Sequence, residues 1–225
     1  AVTQFFNDLF LVAMKDLRIE IRSRVIVNQV APFAVLVLVL FGFALDADQR
    51  TLRLFAPGLF WVAILLCLLL AVQRSVSLEV INDSLLGLKM AGLSPSSIFL
   101  GKAMAVFVQM IFLELFLTGG VIIFYGTSID DLALWIVSGL VAALALSATG
   151  TLYGALASGL EVRETLLPIL LLPVLAPVLI GATKAYSGAL GESVTNGWQW
   201  TGLLSLFALA ALALGAMAYG VLVEE

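Results

Sequence analysis

The chain has 225 residues, of which 62% are apolar and only 12% charged, against about 45–50% and about 25% in a soluble domain. Its net charge is −4, with no His and a single Cys, Cys67. That balance removes the electrostatic basis for nucleic-acid binding. It also excludes imidazole metal sites, His-dependent acid–base catalysis, an intrachain disulfide and a clustered-thiolate zinc site.

At the helical turn of about 100° per residue, Phe5, Phe6, Leu9, Phe10, Ala13, Leu17 and Ile21 gather on one face, with Asn7, Lys15, Arg18 and Arg22 opposite. The pattern predicts an amphipathic helix over 1–24 lying in the membrane interface, the alternative being a helix packed on a soluble partner. It is not read as a cleavable signal, because the basic cluster follows the first apolar stretch and no A-x-A end appears.

A bilayer core about 30 Å thick takes roughly 20 apolar residues of helix. Six segments meet that length, at about 25–45, 54–72, 103–125, 132–158, 165–183 and 200–222. Barrel strands would alternate in polarity, and these runs do not. The expectation is an all-α integral membrane protein of six transmembrane helices behind an interfacial helix, forming one domain over 1–225.

Lys and Arg in the connections orient it. Lys15, Arg18, Arg22, Arg24, Arg74, Lys89, Lys102 and Arg163 fall on one side, and Arg50, Arg53 and Lys184 on the other. Both termini are therefore expected in the cytoplasm. Tyr125, Trp135, Tyr186, Trp198 and Trp200 fall at the opposite helix ends, where amphipathic rings anchor at headgroups.

The longest cytoplasmic connection, 73–101, carries Leu78, Ile81, Leu85 and Leu88 at helical spacing, with Glu79, Asp83 and Lys89 facing elsewhere. Gly92 supplies a C-terminal stop, and Ser94-Pro95-Ser96 suits the start of the next helix. A helix-turn there offers a partner a compact contact surface; packing on the membrane surface is the plainer alternative.

Glu114 is the only ionisable residue well inside a span. A carboxylate at mid-bilayer costs roughly 2.5–3.5 kcal/mol, so it must face protein or water. It reads either as a substrate-path or coupling residue or as a hydrogen-bonded neutral acid at a helix interface. In the fourth span Gly150, Gly154 and Ser158 recur four apart, a spacing that permits close helix approach. In the fifth, Pro168, Pro173 and Pro177 each remove a helical hydrogen bond, giving a hinge or a static bend.

Several stretches together resemble the CcmB family, haem exporter B subunits of cytochrome c maturation. They are Lys15 to Glu20 with Arg22-Ser23-Arg24, Ala56-Pro57-Gly58, Trp61-Val62-Ala63 with the Leu-rich run to Arg74, Leu93-Ser94-Pro95 leading to Lys102, and Leu166 to Pro173 with Pro177 and Ile180. Where the family shows Asp-Gly-Ser/Thr-Leu-Glu, this chain reads Asn82-Asp83-Ser84-Leu85-Leu86.

The resemblance implies a non-catalytic permease subunit of the ABC-2 exporter type in the bacterial inner membrane. It implies a cytoplasmic ATPase, CcmA, docking on Leu78, Glu79, Ile81, Asp83, Leu85, Leu88, Gly92 and Pro95. Membrane partners CcmC and CcmD and the haem chaperone CcmE follow from it too, as does a pair of permease copies matched to two ATPases.

The residues sharpen that role. No G-x-x-x-x-G-K-[ST] occurs, so ATP is expected on the partner chain. With His absent, axial haem ligation by this chain is disfavoured, and haem is expected to be handled by the complex. A lipid or polysaccharide exporter subunit and a non-transporting scaffold remain the competing readings.

Overall fold

Hydrocarbon offers no partner to backbone N–H and C=O groups, so each apolar run satisfies them within a helix. The computed structural model of the chain describes residues 2–44, 48–82, 87–88, 90, 92–158, 163–192 and 196–224. Its helices are α1 (Val2–Ser23), α2 (Ala31–Ala44), α3 (Gln49–Asn82), α4 (Pro95–Tyr125), α5 (Leu132–Ser158), α6 (Arg163–Ala189) and α7 (Gly197–Glu224), with a π-helical turn, Ile26–Val30, leading into α2. Among the described residues, six stretches are long and apolar enough to cross a membrane: Ile26–Ala44, Gln49–Ser77, Pro95–Tyr125, Leu132–Ser158, Thr165–Ala189 and Gly197–Leu222.

Capping accounts for the boundaries that differ from the sequence reading. Asp48 accepts a 3.1 Å bond from the Thr51 N–H and starts α3 at Gln49, before the expected 54. That helix then runs unbroken to Asn82, with no separation at Gln73 between span and loop. Ser94, with Pro95 behind it, caps α4 by accepting from the Ser97 N–H, as the turn chemistry predicts.

α5 is the centre of the bundle and touches α3, α4, α6 and α7. Its small residues allow this. A Cβ on Gly150 or on Gly154 would sit 3.0 Å from a Val72 methyl, so this face of α5 lies directly on α3 of the same chain. The close approach that sequence spacing left open to a second copy is used inside the subunit.

α1 does not simply float in the interface. Val12 and Ala13 are buried against α4, and a Cβ on Gly101 would lie 2.7 Å from both the Leu9 carbonyl oxygen and Val12 Cβ. The expected apolar stripe divides accordingly. Phe6, Phe10 and Ile21 stay exposed, while the packed side shifts toward Val12 and Ala13.

Two rings read as headgroup anchors are core residues instead. Tyr125 is buried and donates a 2.6 Å bond to the Leu38 carbonyl, tying α2 to α4. Tyr186 is likewise buried, whereas Trp198 is exposed as an anchor should be. Replacing Gly101 with Val should displace α1 from α4 at a cost of about 1–3 kcal/mol, typical of overpacking. Faster proteolysis within α1 and a lower melting temperature in detergent are the expected readouts.

Candidate functional site

The face at the α1 end of the bundle gathers residues distant in sequence. Glu20 Oε2 lies 3.5 Å from Arg74 Nε, and Glu20 Oε1 accepts from the Ile26 N–H at 3.2 Å. One carboxylate therefore joins α1, the π turn and the end of the second span. The sequence carried both residues in separate stretches, with nothing to pair them.

The stop at Gly92 forms as expected. Its φ is +76°, and the Leu93 N–H donates to the Leu88 carbonyl at 3.4 Å, the paired geometry of a left-handed C-terminal cap. Leu88 and Leu93 pack on a cluster of Ile98, Phe99 and Tyr219, so Leu88 fastens the loop to its own bundle. Met90, beside it, is 82% exposed. Leu78, Glu79 and Ile81 lie on the helical backbone of α3; Asp83 and Leu85 fall outside the described residues.

Lys102, counted with the cytoplasmic cations, is buried in the bundle. With Ser75, Thr151 and Tyr219 it lines a cavity of about 20 Å³, room for a single water.

The second centre lies toward the opposite face, where α3, α4, α5 and α6 converge. Glu114 is buried on α4 and Tyr186 on α6. A Cβ on Gly139 of α5 would sit 2.8 Å from Tyr186 Oη and 2.9 Å from Glu114 Oε2, so the bare glycine lets both oxygens approach one spot. Phe60, Trp61 and Trp135 ring the phenol, with centroids 5.1, 4.8 and 6.1 Å from its own.

Glu114 Oε1, Tyr186 Oη and Trp61 Nε1 are buried without a hydrogen-bond partner among the described residues. Gly139 lies seven residues into α5, about 10 Å along it. The node therefore occupies the half of the bundle away from α1. Among the described residues Glu114 makes no ion pair. Spacing could flag Glu114 alone; Gly139 and Tyr186 become its neighbours only through helix packing.

Pro168, Pro173 and Pro177 lie within an unbroken α6. Pro173 and Pro177 are exposed, while Leu167, Leu171, Leu175 and Val178 carry the packed face. The rings of Pro173 and Pro177 thus point away from the core, whereas Pro168 is half-buried beside the packed face.

The sequence profile of the family described as "CcmB protein" matches residues 7–224. The chain belongs to the CcmB family. It is 28% identical to heme exporter protein B of Haemophilus influenzae over 210 residues, covering 93% of this chain and 92% of that one. Identity is 31% to the Rhodobacter capsulatus heme exporter protein B, over 80% of this chain and 83% of the relative. For the Paracoccus denitrificans protein of the same name it is 30%, over 91% and 94%. The family match spans the residues of both centres.

Gly139→Ala should destabilise the bundle by about 1–3 kcal/mol, because the methyl meets two buried oxygens. Glu114→Ala introduced with it should recover much of that loss. A double-mutant cycle on detergent melting curves that finds the two changes additive would contradict this proximity.

Proposed function

We propose that this chain is the membrane permease subunit of a haem export system serving cytochrome c maturation. The observation that carries the reading is the match over almost the whole chain to heme exporter B proteins, on a six-span bundle. A lipid or polysaccharide exporter is not favoured by those relatives. The protein is integral to a bacterial membrane; we place it in the inner membrane with both termini cytoplasmic, from the distribution of Lys and Arg.

In this reading ATP is bound by a separate subunit of the CcmA type, since the chain has no phosphate-binding loop. CcmC, CcmD and CcmE complete the system and supply the His ligands this chain lacks. Its own part is mechanical. The ATPase seats on the inner connection around Glu79, Asp83 and exposed Met90, and α3, unbroken from that connection into the core, carries displacement inward.

Two copies pair in the complex, through the lipid-facing sides of α2 and α6. Leu36, Leu40, Ile169 and Ile180 are exposed there, whereas Gly150 and Gly154 are occupied by α3. Glu114 and the α6 prolines serve as the coupling residue and the hinge of the motion.

Met90→Asp should strongly reduce co-purification of the ATPase and cytochrome c maturation while the subunit inserts and melts normally. Leu88→Asp should lower the melting temperature itself. Normal ATPase recovery with Met90→Asp would remove this seat from the proposal. Alone, the purified subunit should hydrolyse no ATP and show no Soret band. Stoichiometric haem surviving gel filtration would overturn that expectation.

Pairing is checked with single cysteines in a Cys67→Ser background. Leu40→Cys should crosslink to itself, whereas Gly150→Cys should not.

A further inference from the structure

We propose that the groove between α1, the π turn and α4 is a binding site for an anionic phospholipid of the leaflet on which α1 lies. The groove has a volume of about 540 Å³. Leu17, Ile21, Ile26, Val27, Val108 and Phe112 give it apolar walls, and Arg24, Asn28 and Gln109 supply its polar groups.

Its depth suits a lipid. Roughly 20 helical residues cross the hydrocarbon. Counted inward from the far end of α4 at Tyr125, they reach the neighbourhood of Ala105, and counted from Arg53 in α3 they reach Arg74. Val108 and Phe112 therefore lie just inside the apolar layer, and the Glu20–Arg74 pair lies at its edge. Ile21, Val27, Val108 and Phe112 are partly open to that layer, so an acyl chain enters sideways without leaving hydrocarbon.

Charge decides which lipid. Glu20 also lines the groove, but its two oxygens are engaged by Arg74 and the Ile26 N–H. Arg24 is exposed, and no carboxylate pairs with it among the described residues. The groove thus presents an apolar slot with a net cation at the headgroup level. A guanidinium there binds a phosphodiester through charge-assisted hydrogen bonds. A zwitterionic lipid offers the same phosphate with its charge cancelled. The occupied site would wedge α1 against α4 and complete a junction that protein atoms alone leave open.

The test is native mass spectrometry of the chain taken from nanodiscs holding equal phosphatidylglycerol and phosphatidylcholine. We expect one retained phosphatidylglycerol at about five-fold preference, the equivalent of about 1 kcal/mol for one basic residue at an anionic surface. Arg24 has φ +55°, a conformation Asn tolerates, so Arg24→Asn removes the charge without straining the turn. It should bring the two lipids to parity, while Arg22→Gln leaves the preference unchanged. Val108→Trp should fill the slot and abolish retention of either lipid.

No preference in the unchanged protein overturns the proposal. So does a preference that survives Arg24→Asn, or one lost equally with Arg22→Gln, which would indicate diffuse attraction. Retained lipid in Val108→Trp would place the site elsewhere and overturn it too. None of these outcomes depends on haem or on the ATPase, so the lipid site and the proposed function fail separately.

Discussion

Lipid tails are as apolar as leucine, so no hydrophobic force presses these helices together; close van der Waals contact must do it. The structure meets that constraint by putting glycine where helices cross. Gly150 and Gly154 admit Val72 of α3, Gly139 admits Glu114 and Tyr186, and Gly101 admits the backbone of α1. Gly215 leaves room for the Phe99 ring, which with Ile98 and Tyr219 forms the floor under Leu88. Close approach at α5 holds the Glu114–Tyr186 node together, while the centre at the α1 end rests also on direct contacts of α1 and α7 with α4 and of α3 with α4.

Hydrogen bonds close both ends of the bundle, and the α1 end adds an ion pair. Away from α1, the ties are backbone hydrogen bonds. The Asp130 and Asp131 N–H groups both donate to the Ala189 carbonyl, and Asp131 caps α5 through the Leu134 N–H. Tyr125 adds a buried side-chain bond to Leu38, of a kind that contributes about 0.6 kcal/mol within membranes. At the α1 end, the described ties include the Glu20–Arg74 pair at 3.5 Å, the Ile26 N–H donating to Glu20, the Ser96 hydroxyl donating to the Ala216 carbonyl at 3.1 Å, and an apolar cluster. In the proposed role that is the end on which a partner acts, while the far end holds the acid node.

The node itself illustrates why membrane interiors concentrate meaning in few polar atoms. An unsatisfied hydroxyl or carboxyl is far more costly among apolar side chains than in water. Glu114, Tyr186 and Trp61 leave three such atoms together, on three different helices. A change in their relative positions alters which of them can hydrogen-bond, so their energetics are sensitive to small helix displacements.

Much of this was legible in the residues. Run length and the absence of alternation determined six helices, and Ser94-Pro95 and Gly92 determined where the inner connection turns, because caps and left-handed stops are local chemistry. The ordered short motifs carry the family likeness in the sequence itself. Rotation and neighbours were another matter. In a span that is apolar all round, periodicity carries no record of which side faces protein, so Tyr125 and Tyr186 looked like interfacial anchors and Gly150 like a contact for a second copy. Likewise Glu20 and Arg74, or Glu114, Gly139 and Tyr186, are brought together by packing between elements far apart in the chain. Local sequence decided that these helices form and where they end; only the packing of the helices, closest where glycine removes the side chain, decided which of their side chains meet.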